Sequence, residues 1–208
     1  MRIKICGVTR LEDAELAVEL GAWAVGMVFY EGSRRRCELA EAEAIGAALH
    51  RRCEIAGVFV NAPLEEVESV SRRAGLTLVQ LHGDEGPAFC GEVARRTGAR
   101  TIKAAPARGL FTLHDLERFH TDFHLLDGHV EGERGGTGTR FDWSLVAARR
   151  SKQPLIVGGG LDPTTVAAAI EATSPFAVDV ASGVEASAGV KDPERMRAFF
   201  EAAEARVA

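Results

Sequence analysis

Ala24-Val25-Gly26-Met27-Val28-Phe29 is an unbroken run of six apolar residues. A strand with one face in water alternates apolar and polar side chains, and this run does not. It fits a strand of a parallel sheet covered by helices. Similar short runs recur at Arg2 to Cys6, Glu54 to Val60, Leu78 to Leu81, Thr101 to Ala104, His124 to Asp127, Leu155 to Val157 and Ala177 to Val180. Amphipathic stretches fill the gaps. Leu11, Ala14, Leu16, Ala17 and Leu20 form one apolar stripe, with Thr9 or Asp13 available as entry polar groups. Pro63, Pro163 and Pro193 each open a further stripe. Asp162 and Asp192 immediately precede the last two, a good start because proline at the first helical position loses no needed N–H. Gly21, Gly75 and Gly98 fall where three helices should stop.

Eight strands alternating with eight helices over 208 residues give about 26 residues per unit, which predicts an α/β fold, a (β/α)8 TIM barrel, with residues 1–208 as one domain. The rival is an open doubly wound sheet, which would carry a GxGxxG turn after its first strand. Here that turn reads Cys6-Gly7-Val8-Thr9.

Composition narrows the function classes. Apolar residues make up 46%, which argues against disorder, and a net charge of -5 argues against a large nucleic-acid footprint. The dense basic spot is Arg34-Arg35-Arg36. No apolar run approaches the length of a membrane span, and Met1-Arg2-Ile3-Lys4 lacks the apolar core of a secretory signal. Cys6, Cys37, Cys53 and Cys90 are widely spaced without a CxxC pair, which argues against a zinc site. The expectation is a cytoplasmic protein with reduced thiols.

A parallel barrel exposes its chemistry at the C-terminal ends of its strands. Cys6 ends the first strand and Asp127 the sixth, so a thiol and a carboxyl meet at one mouth as candidate base and acid. Cys6 as a small buried hydrophobe and Asp127 as a solvated loop carboxylate are the plainer readings. A partly buried Asp127 would have the raised pKa a general acid requires. Glycines and polar residues gather in the loops after strands 6, 7 and 8: Gly135-Gly136-Thr137-Gly138, Gly158-Gly159-Gly160 and Ser182-Gly183. Backbone N–H groups in such loops approach anionic oxygens closely, and a short helix at Ser182-Gly183 would add its positive end, so these loops read as a phosphate site. His82, after strand 4, is either a polar cap or a substrate contact. Lys4 shares the parity of Cys6 and faces the interior, where Asp179 on the neighbouring eighth strand is its expected partner, because a lone buried ammonium is costly. Asp179 is also placed to face a ligand.

Together with Gly57-Val58-Phe59-Val60-Asn61, Val79-Gln80-Leu81-His82-Gly83, Phe141-Asp142-Trp143 and the segment from Asp179 to Glu185, these strand-end motifs resemble phosphoribosylanthranilate isomerase in order from end to end. The resemblance implies an Amadori rearrangement in tryptophan biosynthesis, from N-(5-phosphoribosyl)anthranilate to 1-(o-carboxyphenylamino)-1-deoxyribulose 5-phosphate, without metal or coenzyme. It implies Cys6 as general base, Asp127 as general acid, and Arg35 facing the anthranilate carboxylate. The remaining substrate contacts are His82, Gly136, Thr137, Gly138, Gly159, Gly160, Asp179, Ser182 and Gly183. Ala181 and Gly158 depart from the family pattern at the phosphate loops. The expected partner is the phosphosugar-anthranilate substrate, with no nucleic acid or membrane, and the chain is a monomer or homodimer. Two other readings compete: another phosphosugar isomerase or epimerase on the same barrel, and a non-catalytic phosphate-ligand binding barrel.

Overall fold

A computed structural model describes residues 1–128 and 142–205. Eight parallel strands close into a barrel: β1 (Arg2–Cys6), β2 (Ala24–Val28), β3 (Glu54–Phe59), β4 (Leu78–Leu81), β5 (Arg100–Pro106), β6 (Phe123–Asp127), β7 (Leu155–Val157) and β8 (Ala177–Val180). Each strand pairs with its sequence neighbour, and β8 returns to β1 with Lys4 opposite Asp179. The expected strands are all present, shifted by at most two residues at an end.

The helices are α1 (Leu11–Glu19), α2 (Leu39–Leu49), α3 (Leu64–Ala74), α4 (Pro87–Thr97), α5 (Leu110–Leu116), α6 (Val166–Thr173) and α7 (Pro193–Glu204). Between β6 and β7 the described residues form a 3-10 helix, Trp143–Ala148, which stands in the helix position of that unit. Gly75 and Gly98 end α3 and α4 in the left-handed conformation, which costs glycine little. Asp192 caps α7 by accepting the N–H groups of Glu194 and Arg195, with Pro193 at its first position. Two other expected starts fail. Neither Thr9 nor Asp13 caps α1: Thr9 donates to the Gly189 carbonyl, and the Asp13 carboxylate is taken by Arg10 and the Lys191 N–H. Pro163 lies in a turn that Asp162 closes onto Thr164, and α6 begins at Val166.

Beyond β8 the chain makes a 3-10 turn, Ser182–Val184, and then a small antiparallel hairpin, β9 (Glu185–Ser187) with β10 (Val190–Lys191), before α7. The hairpin was not foreseen.

Two apolar clusters hold the fold. The larger lies between strands and helices and includes Ile3, Ile5, Val25, Met27, Phe59 and Phe199. The smaller fills the lower barrel interior with Ala24, Ala56, Leu78, Ile102, Phe123, Leu125, Ile156 and Ala177. At the N-terminal end of the strands, Trp23, Phe123 and Phe176 pack ring against ring at 5.1–5.6 Å between centroids. Arg2 lies over Phe176 at 4.3 Å and Arg100 over Phe123 at 5.4 Å, cation–π contacts that cap the plug. The interior thus runs from apolar at the bottom to polar at the mouth. Along β1 the inward residues are Arg2, Lys4 and Cys6, and each step of two moves up one layer.

Candidate active site

The mouth holds a cavity of about 720 Å3, counting its solvent-open upper part, with Cys6, Arg35, Gln80, His82, Asp127, Gly159, Gly160, Asp179 and Ser182 among its lining residues. Parity explains the gathering. Cys6 and Asp127 are the last residues of β1 and β6; Gln80 and His82 are inward on and just after β4; Asp179 is inward on β8. Both Cys6 and Asp127 are 8% exposed, so neither is a solvated loop residue.

Lys4 is fully buried beneath Cys6, and its Nζ donates to Asp179 Oδ1 at 2.7 Å, as the interior-pair expectation requires. Gly26 makes room for this cluster. A Cβ there would lie 3.1 Å from Cys6 Sγ and 3.2 Å from Lys4 Nζ. Burial pushes the Cys6 thiol upward, while the Lys4 charge pulls it down and Asp179 raises it again. Burial also works against the Lys4 ammonium, but Asp179 and Cys6 outweigh it and hold Lys4 above its ordinary range. An ammonium beside the thiol is the feature a thiolate needs.

His82 Nε2 stands 3.5 Å from Asp127 Oδ2, and Gln80 Nε2 lies 3.1 Å from His82 Nδ1. With the Gln80 amide donating, Nδ1 accepts and the ring proton sits on Nε2, toward Asp127. Burial lowers the His82 pKa to about 4, with Lys4 and Lys103 pulling the same way against Asp179 and Glu85. The ring is therefore neutral at physiological pH, and its approach to Asp127 is a polar contact rather than an ion pair.

Of the three consecutive arginines, Arg35 lines the cavity, while Arg34 and Arg36 are exposed. Gly7, at φ +71°, lets the Arg35 chain pass: a Cβ there would sit 2.6 Å from Arg35 Cδ. Arg35 is not isolated. Its Nε and Nη2 each lie 2.9 Å from the Glu185 carboxylate. Val28, Val58 and Val60 form an apolar wall in the same cavity.

On the far side, Gly159 and Gly160 take φ +79° and +64°. A Cβ on Gly159 would lie 1.9 Å from the Gly128 N and 2.9 Å from Asp127 Oδ1, so the loop passes directly over the acid. Gly183 is as tightly constrained: a Cβ would lie 1.9 Å from the Leu161 carbonyl, so the turns after β7 and β8 touch backbone to backbone. Ser182 lines the cavity beside them. The expected helix there is only the three-residue 3-10 turn. Gly136, Thr137, Gly138 and Phe141 lie outside the described residues.

The other thiols are remote from this cavity. Burial raises Cys37 to about 12 and Cys53 and Cys90 to about 11, which suits structural thiols. Sequence reading missed Gln80 as a cavity residue and Glu185 as the partner of Arg35. The inward parity of Gln80 with Leu78 and His82 was the available signal for the first. Among the described residues no helix is long and apolar enough to cross a membrane.

Comparison with known proteins agrees with this geometry. A relative from Citrifermentans bemidjiense, an N-(5'-phosphoribosyl)anthranilate isomerase, is 45% identical over 196 residues, covering 94% of this chain and 93% of its own. The crystal structure of phosphoribosyl anthranilate isomerase from Thermotoga maritima superimposes with a TM-score of 0.88 at 39% identity, covering 99% of each chain. A phosphoribosyl anthranilate isomerase solved in complex with reduced 1-(o-carboxyphenylamino)-1-deoxyribulose 5-phosphate is similar at a TM-score of 0.85 and 37% identity, again over 99% of each. The model of the N-(5'phosphoribosyl)anthranilate (PRA) isomerase family matches residues 3–202, and the chain belongs to that family.

Proposed function

We propose that Cys6 and Asp127 carry out this family's reaction at the barrel mouth, as general base and general acid. The chain is an isomerase that converts N-(5'-phosphoribosyl)anthranilate to 1-(o-carboxyphenylamino)-1-deoxyribulose 5-phosphate. The observation that carries the assignment is that a thiol and a carboxyl, ending β1 and β6, open on one cavity with a guanidinium at its rim.

In this reading Asp127 begins protonated and gives its proton to the furanose ring oxygen. The C1′–O bond breaks as the anthranilate nitrogen lone pair forms the iminium. Cys6, as thiolate, removes the proton at C2′, and the electron pair of that C–H bond neutralises the iminium to give an enolamine. Protonation at C1′ and loss of the C2′ hydroxyl proton complete the ketone, so no proton is gained or lost overall. Lys4 supplies fixed positive charge beneath the thiolate, and the transient iminium adds more above it. Neutral His82 donates toward Asp127 and favours its ionised form once the proton has left.

Binding follows the same division of the cavity. Arg35 meets the anthranilate carboxylate, because a guanidinium donates two parallel hydrogen bonds to a planar anion. The valine wall faces the aromatic ring. The glycine turns at Gly159–Gly160 and Ser182–Gly183 offer backbone N–H groups to the phosphate, which compensates for the hydroxyl that Ala181 lacks.

The test is steady-state turnover of freshly generated phosphoribosylanthranilate, followed by loss of its anthranilate fluorescence. Wild type is expected to be active, and Cys6→Ser and Asp127→Asn to lose about two or more orders of magnitude while staying folded. A variant that stays nearly as active as wild type moves that proton-transfer role to another residue.

A further inference from the structure

The hairpin between β8 and α7 builds a charged cluster that the proton transfers do not use. Lys191, 1% exposed, places its Nζ 2.6 Å from the Cys6 carbonyl, 3.1 Å from the Ala181 carbonyl and 2.9 Å from Glu185 Oε1. An ammonium has three N–H groups, and all three are engaged, as burial of the charge demands. Glu185, 6% exposed, also accepts the Gly189 N–H at 3.3 Å and the side edge of Arg35 through Nε and Nη2, both at 2.9 Å. A guanidinium has two forked edges. Glu185 occupies the Nε edge, and the Nη1–Nη2 end of Arg35, whose side chain is 18% exposed, is left for the cavity.

A long side chain that binds substrate must either be ordered beforehand or lose its rotamer freedom on binding. We infer that Glu185, anchored by Lys191, is a positioning residue that aims the free edge of Arg35 at the substrate carboxylate. This rests on the reading of Arg35 given above. Lys191 carries the alignment to the base as well, because the same ammonium grips the backbone of Cys6. The aim of the clamp and the end of β1 are thereby fixed to one point. Gly7 permits the route, since any side chain there would collide with Arg35.

The experiment is a double-mutant cycle of Glu185→Gln and Arg35→Met, reading kcat and KM for phosphoribosylanthranilate, with thermal unfolding of each variant. Glu185→Gln is expected to raise KM about tenfold, near the worth of one charge-assisted hydrogen bond, and to lower kcat less than about threefold. In the Arg35→Met background the same change is expected to leave KM where it is. A second readout is the analogue made from aniline, which lacks the carboxylate and whose KM should not respond to Glu185→Gln. Where Glu185→Gln does not fold, Glu185→Asp carries the same cycle, because it keeps a charge for Lys191 and draws the carboxylate back from Arg35. An unchanged KM in the Glu185 variant, or an equal rise without Arg35, overturns the positioning role. If Arg35→Met alone leaves KM unchanged, the reading of Arg35 fails first, and the proposal with it.

Discussion

Replacing Lys4 by Met isolates the charge beneath the base. Lys4 Nζ and Cys6 Sγ lie 3.2 and 3.1 Å from the same point, the Cβ position of Gly26. The two are therefore at most about 6 Å apart, where opposite unit charges at an effective dielectric of about 20 attract by about 2.8 kcal/mol. By that much the thiolate fraction below the pKa should fall about 100-fold without Lys4. Burial already holds the thiol above its ordinary value, and Lys4 opposes that rise. Lys4→Met also leaves Asp179 without its 2.7 Å partner and adds its repulsion to the thiolate. The companion variant Lys4→Met/Asp179→Asn removes that repulsion and should recover part of the loss. The assay is the rate of Cys6 alkylation by iodoacetamide against pH, alongside the pH profile of kcat/KM. In both measurements the limb that rises with pH should move to higher pH in Lys4→Met, with the double variant between it and wild type. A folded Lys4→Met protein whose Cys6 alkylates with the wild-type pH profile would refute the reasoning, whatever its turnover.

Acid sensitivity offers a second check. His82 is held at about pKa 4 against an ordinary 6.5, so below about pH 6.5 the unfolded chain binds a proton that the folded chain refuses until about pH 4. This contribution is complete above the unfolded value and is lost as pH falls through that window. It amounts to about 2 kcal/mol between about pH 7 and pH 5. His82→Asn should flatten that part of the stability curve in urea titrations; an unchanged slope would place the acid sensitivity elsewhere. Replacing Cys37, Cys53 and Cys90 together by Ala should leave kcat within about threefold of wild type, because none lines the cavity. A large kcat loss in that folded triple variant would count against Cys6 as the working thiol.

The strands were legible because a parallel barrel buries both faces of each one, which leaves continuous apolar runs such as Ala24 to Phe29 bounded by polar and glycine-rich turns. The strand-end residues followed from parity alone: Lys4 and Cys6 point inward together, and Asp179 stands opposite Lys4 in the register. Helix starts were less legible where a polar side chain had a stronger claim elsewhere. Asp13 has the composition of a cap, but Arg10 and the Lys191 backbone take it, a competition between segments 178 residues apart in the chain. The same distance hid Lys191 itself. In the run Gly189-Val190-Lys191-Asp192-Pro193 it reads as a surface lysine before a helix. It is buried because β1, the end of β8 and the hairpin each bring an acceptor to it. The hairpin was missed for a related reason: its strands of three and two residues are too short to show periodicity.

The ring-on-ring packing of Trp23, Phe123 and Phe176 makes this barrel a cup rather than a tube. Among the described residues Cys6 opens on the cavity at the mouth, and the aromatic floor closes the opposite end. On the reading proposed above, an iminium formed in such a vessel is exposed to hydrolysis through its rim and not through its floor. The floor and the rim are also free to vary apart: changes to the aromatic base should alter how well the cup holds together without altering what it accepts.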